Sequence, residues 1–467
     1  MSVKTSSDIT YTEQYGSHSS PLFVKLNPIN NLQTANLSLT ATYGPVEILV
    51  PAKTLNLSRS KLSFDLAVPA QAASTFGYIQ ANALCLFDRI TLTSQNTNQV
   101  LCDISNFNRY ASMLSPILTT QAEIQNKASP ILAGALYTSA ATGQAFPLED
   151  VSRPNTVANL DGNAVEYGNP YGICVRKTFV STATATANYV SFEMDLASIH
   201  ASIFDIDKLI YASGEQLLLS LYFSPVNRFS WGGTSSSDPT TGAIAATGTY
   251  TFSNLALYLY TENNLDISSS LVNKVMSEGM AINFPYSYVQ RQAVASGAWS
   301  INQQLSRGFG SKLLLVATSI FNPTETNRTA QDHSVQHLST AAGGSYSSFI
   351  YNTFIDNIPI QTNNNIAILS NGVSGGEHWL YNKGKLKGSA ISSLINYNVD
   401  FCHLDVFTDV PLPGIDWTIV DGLSLDAQHQ WGIVSSSVAG ASVNNNIYII
   451  FVCQKKLMFS PTGLQVV

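Results

Sequence analysis

The first chemistry this chain offers is a histidine–carboxylate cluster at metal-binding spacing. In DHSVQH (332–337), His333 and His337 stand four apart beside Asp332, a spacing that lets two imidazoles on one helical face share a metal ion. The flanks are Thr, Ala, Gly and Ser, and no third ligand follows, so a polar surface loop is the better reading. FCHLDVFTD puts His403 and Asp405 on the same face of a strand. No nucleophile can be named to complete a triad with them, and a satisfied structural pair is expected. GVSGG (372–376) matches G-x-S-x-G with Ser374 in the nucleophile place. That elbow needs a parallel α/β sheet to present it, and the alternation of strand and helix is missing, so a Gly-rich turn is expected. SRGFGSK (306–312) and KGKLKGS (383–389) lack the upstream glycine of a phosphate-binding loop. Asn36, Asn56 and Asn327 begin N-x-S/T sequons, which Ser/Thr-rich chains produce by chance, and they are taken as unmodified. The expectation is no catalytic residue, no metal ligand set and no cofactor.

The elements that would have to position such residues are strands. VEILVPA (46–52) and LNLSRSKLSFDLAVPA (55–70) alternate, and ALCLFDRITLTSQNTNQVLCDI (83–104) reads as a hairpin turning at 95–98. A helix signal over 105–114 carries Phe107, Tyr110, Ala111 and Leu114 on one side. Further strand signals stand at 173–180, 189–196, 207–212, 216–223 and 250–260. In the last, Leu255, Leu257 and Leu259 oppose Tyr258 and Tyr260. Ile267, Leu271 and Val275 then recur every four residues, with Asp266 as the expected cap and Gly279 as the stop. After this helix the layout repeats at 283–292, 299–305, 312–321, 349–361, 394–407, 422–435 and 445–459, with a further helix signal at 377–382. The weakly periodic stretch 128–170, rich in Ala, Gly, Asn, Thr and Pro, and the loops 227–249 and 322–345 are too long for ordinary connections.

Composition narrows the class. Only 11% of the 467 residues are charged, against about 25% in ordinary soluble domains. Yet 45% are hydrophobic and 10% aromatic, ample for cores. A surface so poor in charge suits burial in an assembly better than free diffusion. The 23 basic and 30 acidic residues give a net charge of −7, and no basic cluster exists beyond pairs such as Lys385 with Lys387 and Lys455 with Lys456. Direct nucleic-acid binding is therefore not expected. Cys85, Cys102, Cys174, Cys402 and Cys453 show no CxxC spacing and read as buried free thiols. The start of the chain has no basic n-region or apolar h-region, so synthesis in a reducing compartment without secretion is expected. The longest apolar runs, KLLLVA (312–317) and IYIIFVC (447–453), are far short of the ~20 residues of a membrane span.

The fold class expected is all-β: two tandem eight-stranded jelly rolls with a few short helices. The divisions are an N-terminal arm (1–20), a first jelly roll (21–264), a linking helix (265–280), a second jelly roll (281–454) and a C-terminal arm (455–467). With ALCLFDRITLTSQNTNQVLCDISNFNRYASML (83–114) and LLLSLYFSPVNRFSW (217–231), this layout resembles the double jelly-roll major capsid proteins of the tectivirus–adenovirus lineage. Those of polinton-like viruses and virophages are the most similar. The resemblance implies a structural subunit of an icosahedral virion, not an enzyme, working as a homotrimer that forms a pseudo-hexagonal capsomer. It implies neighbouring capsomers, penton and minor capsid proteins as partners, and allows an internal membrane beneath the shell. It further implies that 128–170, 227–249 and 322–345 form outward towers and that both terminal arms face inward. Two rivals belong to other classes. A tandem jelly-roll carbohydrate-binding or adhesin protein would expose an aromatic platform, whereas Trp231, Trp299, Trp379, Trp417 and Trp431 are scattered singly. A bicupin-type enzyme would draw its ligands from His403, His429 and Glu377.

Overall fold

The computed structural model describes residues 19–30, 35–37, 44–68, 76–80, 83–120, 136–138, 145–147, 157–158, 164–165, 176–179, 188–225, 230–233, 250–294, 298–305, 311–321, 348–360, 366–369, 385, 387, 403–425, 428–439 and 445–467. The first half is built from β1 (Pro21–Leu26), β2 (Val46–Val50), β3 (Thr54–Val68), β4 (Phe87–Ser94), β5 (Val100–Ser105), β6 (Asn188–Asp195), β7 (Leu217–Phe223) and β8 (Tyr250–Glu262). Helix α1 (Phe107–Leu118) follows β5, and helix α2 (Leu265–Ser277) follows β8. The second half contains β9 (Met280–Val294), β10 (Trp299–Gln304), β11 (Lys312–Phe321), β12 (Ser348–Ile355), β13 (Ile358–Pro359), β14 (Ile366–Leu369), β15 (His403–Val406), β16 (Gln430–Ala439) and β17 (Asn445–Ser460). A last strand, β18 (Gly463–Val466), turns back onto β17.

Strand order identifies the architecture. In the first half the sheets run β1-β8-β3-β6 and β2-β7-β4-β5; in the second they run β9-β17-β11-β15 and β10-β16-β12, with β13 and β14 both on the far edge of β12. Counting β13 and β14 as one interrupted strand, each half reads 1-8-3-6 facing 2-7-4-5. All of these pairings are antiparallel. Two sheets in this order are a jelly roll, and the chain contains two.

Alternation explains the cores. Along β3, Leu62, Phe64 and Leu66 are buried and meet Leu255, Leu257 and Leu259 of β8 inside the first sandwich, with Phe64 stacked on Phe252 at 4.8 Å. In the second sandwich Tyr288, Phe451 and Trp431 occupy the same place, Tyr288 stacking on Phe451 at 5.1 Å. The run Ile447–Cys453 is buried at every position. Its odd positions fill the second sandwich, while Tyr448, Ile450 and Val452 join the core of the first. That explains an unbroken apolar strand in an antiparallel sheet: both faces are covered. Helix α2 presents Val275 inward, with Leu271 packed beside it. Its cap is Asn264, whose Oδ1 accepts from the N–H groups of Asp266 and Ile267. Asp266, expected as the cap, is instead the acidic residue of the first turn, where it favours the positive end of the helix dipole. Gly279 ends the helix at φ 77°, its N–H bonded to the Lys274 carbonyl. The division drawn at 454 falls inside β17, and residues 455–467 are strand and hairpin packed on the chain.

Candidate functional site: the joint and the two ends

The sequence-predicted chemistry disperses. Positions 332–337, the GVSGG turn with Ser374, Glu377, Trp379 and Asn327 lie outside the described residues, as do the 128–148 and 322–345 stretches except for isolated short strands. Asp405 is buried and accepts from Thr353 Oγ1 and Trp431 Nε1, each at 3.0 Å; His403 opens the same strand, paired with Thr318. His429 lies near the surface with its Nδ1 2.6 Å from Asp356. Of the two glycine–lysine stretches, Lys312 pairs with Asp421 at 2.5 Å and Lys385 donates to the Thr408 carbonyl. Asn56 is buried, its amide donating to Asp207 at 2.7 Å. Cys102 and Cys453 are buried thiols; burial pushes both up, Cys453 to about 12. Among the described residues no group of three His, Cys, Asp or Glu side chains could hold a metal ion.

What the fold does bring together is a joint between the sandwiches. The outer face of β9 and β11 packs on β5, α1 and the turn at Ile203–Asp205. Tyr110 and Leu114 of α1 share one core with Leu315, Ile450 and Val452. Polar contacts fix the register of that contact. Trp417 Nε1 of the second half donates to Asp205 of the first at 2.7 Å, and Ser287 Oγ donates to the Ala201 carbonyl at 2.5 Å. His200, adjacent to Ala201, has Nε2 3.0 Å from Thr119 Oγ1 and Nδ1 3.6 Å from Asp205. A second tie uses the end of the chain. The Glu215 carboxylate, in a residue only 3% exposed, accepts from the Leu464 N–H at 2.9 Å and from Thr97, and Ser94 donates to it as well. The Val466 N–H donates to Gln99 Oε1 at 3.2 Å. The ties that cross the joint carry no sequence signal, because Trp417 lies 212 positions from Asp205 and Leu464 lies 249 from Glu215.

Antiparallel order also sorts the connections by end. Strand ends flanking 27–45, 69–86, 106–187 and 224–249 all lie on one side of the first sandwich, and those flanking 51–53, 95–99 and 196–216 on the other. In the second sandwich 295–298, 322–347, 370–402 and 440–444 attach at the first end, and 305–311, 356–357 and 407–429 at the second. The stretches 128–170, 227–249 and 322–345 are therefore all attached at one end. The opposite end carries α2, the entry into β1 and the C-terminal hairpin. There Glu262 accepts from Ser19 Oγ at 2.5 Å and from the N–H groups of Ser20 and Asn264 at 2.7 and 2.8 Å. Burial pushes its carboxyl up, but these bonds outweigh burial and hold it below its ordinary range.

No protein-family model and no curated protein matches the sequence. Among solved structures, VP54 of PBCV-1, fitted into a cryo-EM reconstruction of the virophage Sputnik, is similar over 97% of this chain and 98% of that chain, with a TM-score of 0.51 and 9% identity. The Faustovirus major capsid protein gives 0.49 with 11% identity over 96% of this chain and 92% of its own. The mavirus major capsid protein gives 0.48 with 8% identity over 100% and 95%. Two sandwiches of identical strand order, joined face to edge and matched end to end by VP54, make this chain a double jelly roll.

Proposed function

We propose that the chain is the major capsid protein of an icosahedral virus, a structural subunit that assembles as a homotrimeric, pseudo-hexagonal capsomer. The observation that carries this reading is the internal duplication. Two sandwiches of one topology stand side by side with their long connections at one end, so that three chains present six similar units. A charge content of 11% agrees with extensive burial between subunits. In this reading 128–170, 227–249 and 322–345 form the outward towers, and the end holding α2 and both termini faces the interior. The divisions at 20, 264 and 280 serve as working boundaries of arm, sandwich, linker and second sandwich, and the second sandwich runs on through β17 and β18. Neighbouring capsomers, penton and minor capsid proteins are the partners, with an internal membrane as a further neighbour of the inner end. The protein resides in the virion, is made inside the host cell, and has no catalytic role.

The carbohydrate-binding alternative needs exposed aromatic platforms. Trp417 and Trp431 are instead buried, with their indole N–H groups committed to Asp205 and Asp405. Analytical ultracentrifugation with negative-stain microscopy tests the proposal: trimers of hexagonal outline are expected, and a stable monomer at micromolar concentration refutes it.

A further inference from the structure

The start of β1 is held by a single carboxylate. Glu262 ends β8 and is 7% exposed. Its Oε2 accepts from Ser19 Oγ at 2.5 Å, and its Oε1 accepts from the N–H groups of Ser20 at 2.7 Å and Asn264 at 2.8 Å. The Asn263 N–H donates to the Ser20 carbonyl at 2.8 Å, and Ser268 Oγ donates to the Glu262 carbonyl at 3.1 Å. Asn264 in turn caps α2. One side chain thus ties together the entry to β1, the end of β8 and the first turn of α2.

Little else holds β1. Four of its six residues are exposed and none is buried. Leu22 and Phe23 are 49% and 47% exposed, with Phe23 edge-on against Tyr260 at 5.7 Å. The strand is kept in place by its ladder to β8, from Pro21 opposite Glu262 to Leu26 opposite Leu257, and by the clasp at its start. A segment with so few buried apolar contacts is where a fold opens first.

We propose that Glu262 is an acid-operated clasp: ionised, it fastens the start of β1 to α2, and protonated, it lets β1 come away from β8 while the rest of the first sandwich stays folded. Charge-assisted bonds are roughly twice as strong as neutral ones, and protonation removes the charge that all three donors share. Against the opposing effect of burial, the bonds from Ser19, Asn264, Ser20 and Asn263 hold the carboxyl below its ordinary range. A carboxyl depressed on folding is fully clasped above the unfolded value of about 4.3 and released as pH falls through the lower folded value. The ionisable groups on the elements around it are Tyr260, whose hydroxyl lies 2.9 Å from Ser19 Oγ, Arg59 over the Tyr260 ring, Asp207, Lys25 and Asp266. Arg59 is itself committed to Asp207. The clasp lies within one chain and does not rest on the capsomer reading.

Hydrogen exchange read by mass spectrometry on the full chain tests this, with protection referred to unstructured rates at each pH. In the wild type, peptides covering 19–26 and 262–266 should lose protection about tenfold or more between about pH 5 and about pH 3. Peptides covering β4 and β7 should keep theirs. Glu262→Gln has the shape of the protonated acid, so its 19–26 and 262–266 peptides should be weakly protected throughout, with no acid step. That variant leaves Arg59 and Asp207 in place, so an acid step that survives in it belongs to that pair and overturns the proposal. A wild-type profile flat from pH 7 to pH 3, or one in which β4 and β7 open together with β1, overturns it as well.

Discussion

Removing the Glu215 carboxylate should release the C-terminal hairpin from the first sandwich. Glu215 accepts from the Leu464 N–H at 2.9 Å, from Thr97 N–H at 3.2 Å, from Thr97 Oγ1 at 3.0 Å, and from Ser94 Oγ. In Glu215→Ala the Ser94 and Thr97 hydroxyls, already 2.9 Å apart, keep each other as partners. The Leu464 N–H has no such substitute, and Leu464 is 2% exposed. A buried donor left without an acceptor costs about 1–3 kcal/mol, and the lost charge-assisted bonds add to that. Hydrogen exchange reads this locally. The Leu464 amide should exchange about 5- to 150-fold faster in Glu215→Ala, the factor that such a free energy represents. Amides in the halves of β3 and β8 that flank 69–86 and 224–249, at the opposite end from the latch, should keep their protection. Glu215→Gln retains an amide oxygen for Leu464 and should give a smaller effect. An unchanged Leu464 exchange rate in Glu215→Ala would refute the view that this carboxylate closes the joint.

Three further outcomes follow from individual sites. Gly422→Ala should destabilise the second sandwich by about 1–3 kcal/mol, since the new Cβ would press on the Leu313 carbonyl and lie 2.8 Å from Leu314 Cδ2; a denaturation midpoint equal to wild type would contradict this. Hydrogen bonds from the Arg59 guanidinium and Asn56 hold the Asp207 carboxyl below its ordinary range despite burial. A depressed folded pKa means the pair's stabilisation is complete above the unfolded value of about 4 and fades as pH falls through the lower folded value. Asp207→Asn should therefore flatten the acid limb of stability in melting curves recorded below pH 4. The pair is half exposed, with side-chain accessibilities of 54% and 55%, so the effect is small. Finally, Cys102 and Cys453 should resist a thiol reagent at pH 8 in the native protein and react after unfolding, as read by peptide mass mapping. Their thiols are buried and pushed well above that pH.

Strand existence was legible because local pattern and tertiary burial agree. Leu62, Phe64 and Leu66 alternate in the chain and are buried in the sandwich. The hairpin at 95–98 carries its own turn signal, with Asn98 at φ 52°, a conformation Asn tolerates. The capping of α2 shows where local reading slips. Asn264 and Asp266 are both good caps by residue type, and the choice fell to Asn264 because β8 ends at Glu262, whose carboxylate accepts from the Asn264 N–H.

The sequence by itself determined two β sandwiches of unusual neutrality, because period-2 alternation and composition are local properties of the chain. It also located the linker, since Ile267, Leu271 and Val275 write their period over a single helix. Only the tertiary structure decided which apolar residues are core and which are exposed. Ile450 and Leu265 are both large and apolar, yet one is fully buried in the joint and the other is 82% exposed. The ties among Asp205, Trp417, Glu215 and Leu464 were likewise invisible in the sequence. Each joins residues more than two hundred positions apart, and such a contact acquires meaning only when folding has paid the entropy of bringing the two halves together.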